Sequence, residues 1–196
     1  MLSEIRPAIV STVLFTLLLG LAYPLAITGV AQVAFPYQAG GSLVTDRSGH
    51  VIGSALLAQP FATDEYLHPR PSAAGNGYDP TSSGASNYGP LSPDLAKRVA
   101  ADADALRKST GHHEIPDDAI TTSASGLDPD ISPAYADLQA DRIAKARGVP
   151  ADAVRKLIFE HVAGPFLGFI GQPHVNVLMT NRALDAAIPK AQPKPA

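Results

Sequence analysis

The chain contains no cysteine, and between Arg6 and Asp46 it has no Asp, Glu, Lys, Arg or His. The first absence excludes disulfides, thiol nucleophiles and cysteine-ligated metals, so any folded domain must hold together by packing alone. The second leaves a charge-free run whose centre, residues 8–30, is apolar enough to cross a bilayer. At 1.5 Å per residue it makes a helix of roughly 35 Å, against a hydrocarbon core of about 30 Å. A cleaved secretory signal is the competing reading, with Ala31-Gln32-Val33-Ala34 as its small-x-small site. The apolar run outlasts the roughly 7 to 15 residues of such a signal, and its start is not clearly positive, which favours a retained anchor.

Several catalytic signatures are missing as well. No Gly-x-x-x-x-Gly-Lys string exists to cradle phosphates. Gly75-Asn76-Gly77 begins like a dinucleotide turn, but Pro80 stands where the third glycine belongs. There is no Gly-x-Ser-x-Gly elbow and no His-Glu-x-x-His pair. Asp128-Pro129-Asp130 lacks the further oxygen ligands of a calcium loop, and His112-His113-Glu114 with Asp117 and Asp118 reads as a solvated polar turn. No metal site is expected. The net charge of −3 and pI near 6.0 give no electrostatic footprint for nucleic acid.

What is present suggests an α+β protein: one N-terminal transmembrane helix, then a single extracytoplasmic mixed α/β domain. Arg6 and the terminal amine lie on the short side of the span, so residues 1–7 are expected in the cytoplasm, 8–30 in the membrane, 31–188 outside, and 189–196 as a disordered Pro- and Lys-bearing tail. Pro24 is expected to kink the span. Ala8, Thr12, Thr16 and Gly20 recur every four residues and form a small-residue face against which another helix can pack. Residues 42–45 and 50–53 read as a hairpin around Asp46-Arg47-Ser48-Gly49. Residues 59–93 turn rich in Pro, Gly, Ser and Asn, yet carry Phe61, Tyr66, Tyr78 and Tyr88. That combination predicts an ordered, irregular loop that docks on something.

Ser92-Pro93-Asp94 opens a helix that ends before Gly111, and Ser132-Pro133 opens a second that stops at Gly148. Pro150 opens a third, with Val154, Leu157, Ile158 and His161 on one face. Residues 119–124 alternate weakly and suggest a strand, and 174–179 alternate more clearly. A short helix is expected over 181–188.

Three strings go further: Tyr66-Leu67-His68-Pro69-Arg70-Pro71-Ser72 through Tyr78-Asp79-Pro80 and on to Ser82-Ser83-Gly84-Ala85-Ser86-Asn87; Ser125-Gly126-Leu127-Asp128-Pro129-Asp130-Ile131-Ser132-Pro133; and Gly168-Phe169-Ile170-Gly171 leading into Val175-Asn176-Val177. Together with the anchor, and in this order, they closely resemble the C-subunit family of the bacterial Kdp potassium-transporting P-type ATPases. The resemblance runs from the anchor to about Ile188, with residues 112–118 and the tail departing from it. It implies a non-catalytic, single-span subunit of the plasma membrane, with a potassium-conducting subunit, an ATP-hydrolysing subunit and membrane lipid as partners. It also implies a catalytic chaperone that raises the nucleotide affinity of the ATP-hydrolysing subunit. Gln139 matches the glutamine that the family associates with nucleotide, so ATP enters only through a ternary complex with that subunit, and no cofactor is covalently bound. Thr45-Asp46-Arg47-Ser48-Gly49 is only a look-alike of the phosphorylated string of a P-type pump.

Because ATP is scarce outside the cytoplasm, Gln139 is read as a residue satisfying local backbone or solvent. Asp64, Glu65, His68, Arg70 and Asp79 are the candidates for docking over the mouth of the potassium path and gathering cations. A membrane-anchored binding or sensor module working alone is the alternative.

Overall fold

The computed structural model describes residues 2–46 and 48–188; the expected tail, 189–196, lies outside them. The chain divides into two compact units on either side of the Ser54/Ala55 junction.

The first unit begins with one long helix. α1 (Leu2–Leu17) passes through a π turn (Leu18–Ala22) into α2 (Tyr23–Ala34), followed by the single turn α3 (Pro36–Ala39). Residues Ser3–Ala34 form a 32-residue helix long and apolar enough to span a membrane. The π turn explains how Pro24 is tolerated. Proline has no N–H to donate and its ring crowds the carbonyl one turn back; widening the preceding turn relieves that crowding while Tyr23 N–H bonds Leu18 O. The disturbance expected at Pro24 therefore takes the form of a wider turn. In Ser11 and Thr16 the hydroxyls donate back to Ala8 O at 3.0 Å and Thr12 O at 2.8 Å, so neither needs water. The expected hairpin forms: β1 (Leu43–Thr45) pairs antiparallel with β2 (Val51–Ser54). Its turn is fixed by Asp46, whose Oδ1 accepts the N–H groups of Ser48 and His50 at 2.8 and 2.9 Å.

The second unit combines helices with a small sheet and long irregular segments. Its helices are α4 (Pro93–Thr110), the short α5 (Asp117–Ile120), α6 (Pro133–Leu138), α7 (Ala140–Arg147), α8 (Ala151–Glu160) and α9 (Val177–Ala187). β3 (Asp130–Ile131), β4 (Val162–Ala163) and β5 (His174–Asn176) make a small antiparallel sheet in the order β3-β5-β4. Leu67, Ile143, Val154, Val175, Val177 and Leu184 are buried at its centre.

Three sequence expectations need correction here. Residues 119–124 hold no strand, because Asp117 and Asp118 start a helical turn that ends at Ile120. The last strand stops at Asn176, whose carboxamide accepts Met179 N–H at 3.1 Å and so opens α9 four residues early. The helix from Pro133 to Arg147 is interrupted at Gln139, whose N–H bonds Ala136 O. The helix expected from Ser92-Pro93-Asp94 does form as α4, with Ser92 at the N-cap position but no side-chain cap bond, and it ends at Gly111, which adopts φ +76°.

Candidate functional site

The interruption at Gln139 turns its side chain onto the irregular segment 63–70. Gln139 Oε1 accepts His68 N–H at 2.8 Å, and its Nε2 donates to His68 O at 3.1 Å. One residue earlier Asn181, from α9, does the same to Leu67: Oδ1 accepts the N–H at 2.7 Å and Nδ2 donates to the carbonyl at 3.0 Å. Successive residues of an extended chain turn their backbone groups to opposite edges, so two carboxamides stand in for two neighbouring strands. The chain here is a strap laid into a slot between α9 and the α6/α7 junction.

Arginines of α7 secure the rest of the strap. Arg142 donates to Asp64 O at 2.7 Å, to Tyr66 O at 3.0 Å and to Gln139 Oε1 at 2.7 Å. Arg147 is buried and donates to Glu65 O at 2.8 Å, to the carbonyl of Ile188, and to Asp185 Oδ1 at 2.9 Å. The Tyr66 ring lies 5.3 Å from its guanidinium carbon, and the Tyr66 hydroxyl donates to Asp185 Oδ2 at 2.8 Å. A loop buried without such donors would leave carbonyls unsatisfied, at a cost of about 1–3 kcal/mol each.

The string Ser125–Pro133 receives the next part of the loop. Ser125 O accepts the Gly84 N–H and the Ser83 hydroxyl, both at 2.9 Å. Gly126 O accepts the Ser72 hydroxyl at 2.6 Å, and Leu127 O accepts Ala58 N–H at 2.9 Å. Gly126 has φ +69°, and a Cβ there would stand 2.7 Å from Ala74 N and 2.8 Å from Gly84 O. Only glycine fits this approach. Asp128 pairs with Arg70 at 3.1 Å; Pro129 O accepts Val177 N–H at 3.0 Å. Ser132, ahead of Pro133 at the first position of α6, caps that helix and donates its hydroxyl to Asp118 Oδ1 at 2.9 Å.

A pocket of about 640 Å³ opens beside the strap, between the C-terminal end of α4 and the α6/α7 junction. Asp64, His68, Tyr135, Gln139, Arg142 and Lys145 help line it. Burial pushes the Tyr135 hydroxyl up to about 12, so it exchanges no proton near neutrality. Burial, and then the Arg142 charge, hold His68 below its ordinary value; its Nε2 lies 3.0 Å from Thr63 O. Asp64 is 3.8 Å from Arg142 with its side chain 75% exposed. Asp79 lies apart, capping a 3₁₀ turn through Thr81, whose hydroxyl lowers the Asp79 carboxyl below its usual range. Among the described residues no group of three or more His, Asp or Glu is placed to hold a metal ion. These arrangements orient backbone; they present no nucleophile beside a base.

The structure thus bonds His68 to Gln139, places Asp64 in the same pocket, ties the Glu65 carbonyl to Arg147, and joins Arg70 to Asp128 of the Ser125–Pro133 string. Arg142, Arg147 and Asn181 escaped the sequence reading. Their signal was a polar residue inside an apolar stripe, as with Arg147 after Ile143 and Ala144, or Asn181 between Val177 and Leu184.

The profile of the family described as "K+-transporting ATPase, c chain" matches residues 5–186. The chain belongs to the KdpC family. It is 64% identical over 189 residues to the potassium-transporting ATPase KdpC subunit of Caulobacter sp. (strain K31), covering 96% of each chain. The KdpC subunits of Beijerinckia indica (55% over 195 residues, 98% of each) and Geobacter metallireducens (49% over 189 residues, 96% of this chain and all of the relative) are similar along their length. As a KdpC subunit it is an accessory chain of the potassium uptake ATPase, with partner subunits and a membrane location that its long apolar helix fits. Gln139 is only 5% exposed, and both of its side-chain polar atoms are engaged within the chain.

Proposed function

We propose that this chain is the anchored, non-catalytic support of the pump, acting from outside the cytoplasm. Arg6 on the short side of a charge-free span supports a cytoplasmic N-terminus. Unit 55–188 then docks on the potassium-conducting subunit, with Asp64, Glu65 and Asp79 gathering cations where a charge lies within about 8 Å of the mouth. The chain stabilises assembly and raises ATP affinity in the ATP-hydrolysing subunit by binding one conformational state of its partners better than another.

The observation that carries this reading is the clasp of Gln139 on His68. A glutamine spent on its own chain supports an indirect effect on nucleotide.

The test compares two variants in the purified complex. Gln139→Ala and Asn181→Ala release the strap from opposite sides, so both are expected to raise the ATP KM by similar factors, within about threefold of each other. A rise at least tenfold larger for Gln139→Ala, at equal loss of strap stability, would mean that Gln139 touches ATP and that the indirect reading is wrong.

A further inference from the structure

Unit 55–188 leaves several large apolar residues exposed, Leu91 at 95% among them, and one short stretch groups four of them. Phe166, Leu167, Phe169 and Ile170 are 70%, 70%, 77% and 50% exposed, and Phe159, at the end of α8, is 78% exposed. The first four form the tip of a tight reversal after β4. Phe166 N–H bonds Ile170 O at 2.8 Å and Ile170 N–H bonds Phe166 O at 2.9 Å, while Gly168 N–H bonds Pro165 O at 3.0 Å. The side chains are thus carried on a fixed backbone and not on a loose loop.

Two observations say that this tip is built for contact. Leu167 has φ +53°, a left-handed conformation that leucine adopts at a cost and that glycine or asparagine adopts with ease. Nothing in the fold asks for an exposed leucine there. Moreover, two phenylalanines at these exposures present on the order of 250 Å² of ring surface, given 150–250 Å² per aromatic side chain. Apolar patches of a few hundred Å² on a folded unit mark interaction sites.

The chemistry around the tip selects the occupant. From residue 162 to 173 there is no charged side chain and no Tyr or Trp. Loops that enter lipid combine their apolar tip with Lys or Arg for the headgroups, or with a Trp or Tyr belt. Here the preceding charge is the exposed acid Glu160, which anionic lipid repels. An uncharged, Phe-rich, preorganised tip matches the dry centre of a protein interface. We infer that the 165–171 reversal is a plug that inserts into an apolar, uncharged pocket on another subunit of the pump. This rests on the accessory-subunit reading above.

The chain's lack of cysteine gives a direct test. Leu167→Cys, carrying a maleimide photocrosslinker, is placed in the full complex in nanodiscs, some containing spin-labelled lipid. The expected result is a crosslink to another pump subunit and no quenching of a fluorophore at the same position. Lipid quenching, a crosslink to a second copy of this chain, or a water-exposed label in the intact complex would each overturn the inference. In parallel, Leu167→Asn is expected to leave the thermal midpoint of the isolated chain unchanged or raised, while the complex dissociates about tenfold faster on dilution. Phe169→Ser should do the same to dissociation. Unchanged dissociation of both variants, with the wild-type complex intact, removes the plug alone. Failure of the wild-type chain to co-purify with any pump subunit instead removes the reading beneath it.

Discussion

Asn181 and Leu67, 114 residues apart, exchange two hydrogen bonds of 2.7 and 3.0 Å, the side chain of one serving both backbone groups of the other. Both residues are buried, Leu67 completely. Asn181→Ala leaves a buried N–H and a buried C=O without partners. The expected loss is about 3 kcal/mol, read as a lower denaturation midpoint of the full chain in detergent. Asn181→Asp keeps the acceptor but lacks the donor and adds a buried charge, so it should be no better than alanine.

Gly126→Ala should be among the most damaging single-atom changes in the chain. The new Cβ meets backbone on two sides, at Ala74 N and Gly84 O, and the positive φ adds strain. Since Ser72, Ser83 and Gly84 all bond this turn, the expected outcome is release of the 72–84 segment. Limited proteolysis should show cleavage there before the helices are cut. Equal resistance in mutant and wild type would contradict the packing described.

His68 supplies a pH dependence with a definite sign. Its pKa is depressed in the folded chain by burial and by Arg142, so folding favours the neutral ring. The associated stability is present above the unfolded value of about 6.5 and is lost as pH falls through the lower folded value. Wild type should therefore lose more thermal stability than His68→Gln between about pH 7.5 and about pH 5. Parallel losses would mean that His68 is not the titrating group.

Helix packing can be separated from folding. Gly20 lies in the π turn, where a Cβ would find nothing within 4 Å, and Ala8, Thr12 and Thr16 precede it at four-residue spacing on an exposed helix. Gly20→Leu and Thr16→Leu should leave unit 55–188 as stable as before, because that unit does not contain them. If a neighbouring helix packs on this face, the same changes should abolish co-purification of the other subunits in mild detergent. Normal recovery would place the packing surface elsewhere.

The elements that proved legible were those specified by local chemistry. A charge-free run announced the long helix, Asp46 and Gly49 the hairpin, and Pro93, Pro133 and Pro150 the starts of α4, α6 and α8. The failures came where a side chain acts across the chain. Alternation suggested that β5 runs to Met179, but the carboxamide of Asn176 starts a helix instead. Gln139 looked like an ordinary helical residue, and its partner His68 lies 71 positions earlier. No periodicity within either segment encodes that pairing. The aromatic residues in 59–93 did signal an ordered loop, although not that arginines and carboxamides would hold it.

The order of synthesis gives the strap one more property. The clasps described on residues 63–68 are made later: Gln139 and Arg142 first, then Arg147, then Asn181. Until Asn181 has left the ribosome, residues 63–68 are held from one side only, by Gln139 and the arginines of α7. The second clasp is thus closed by α9 over a segment made more than a hundred residues before.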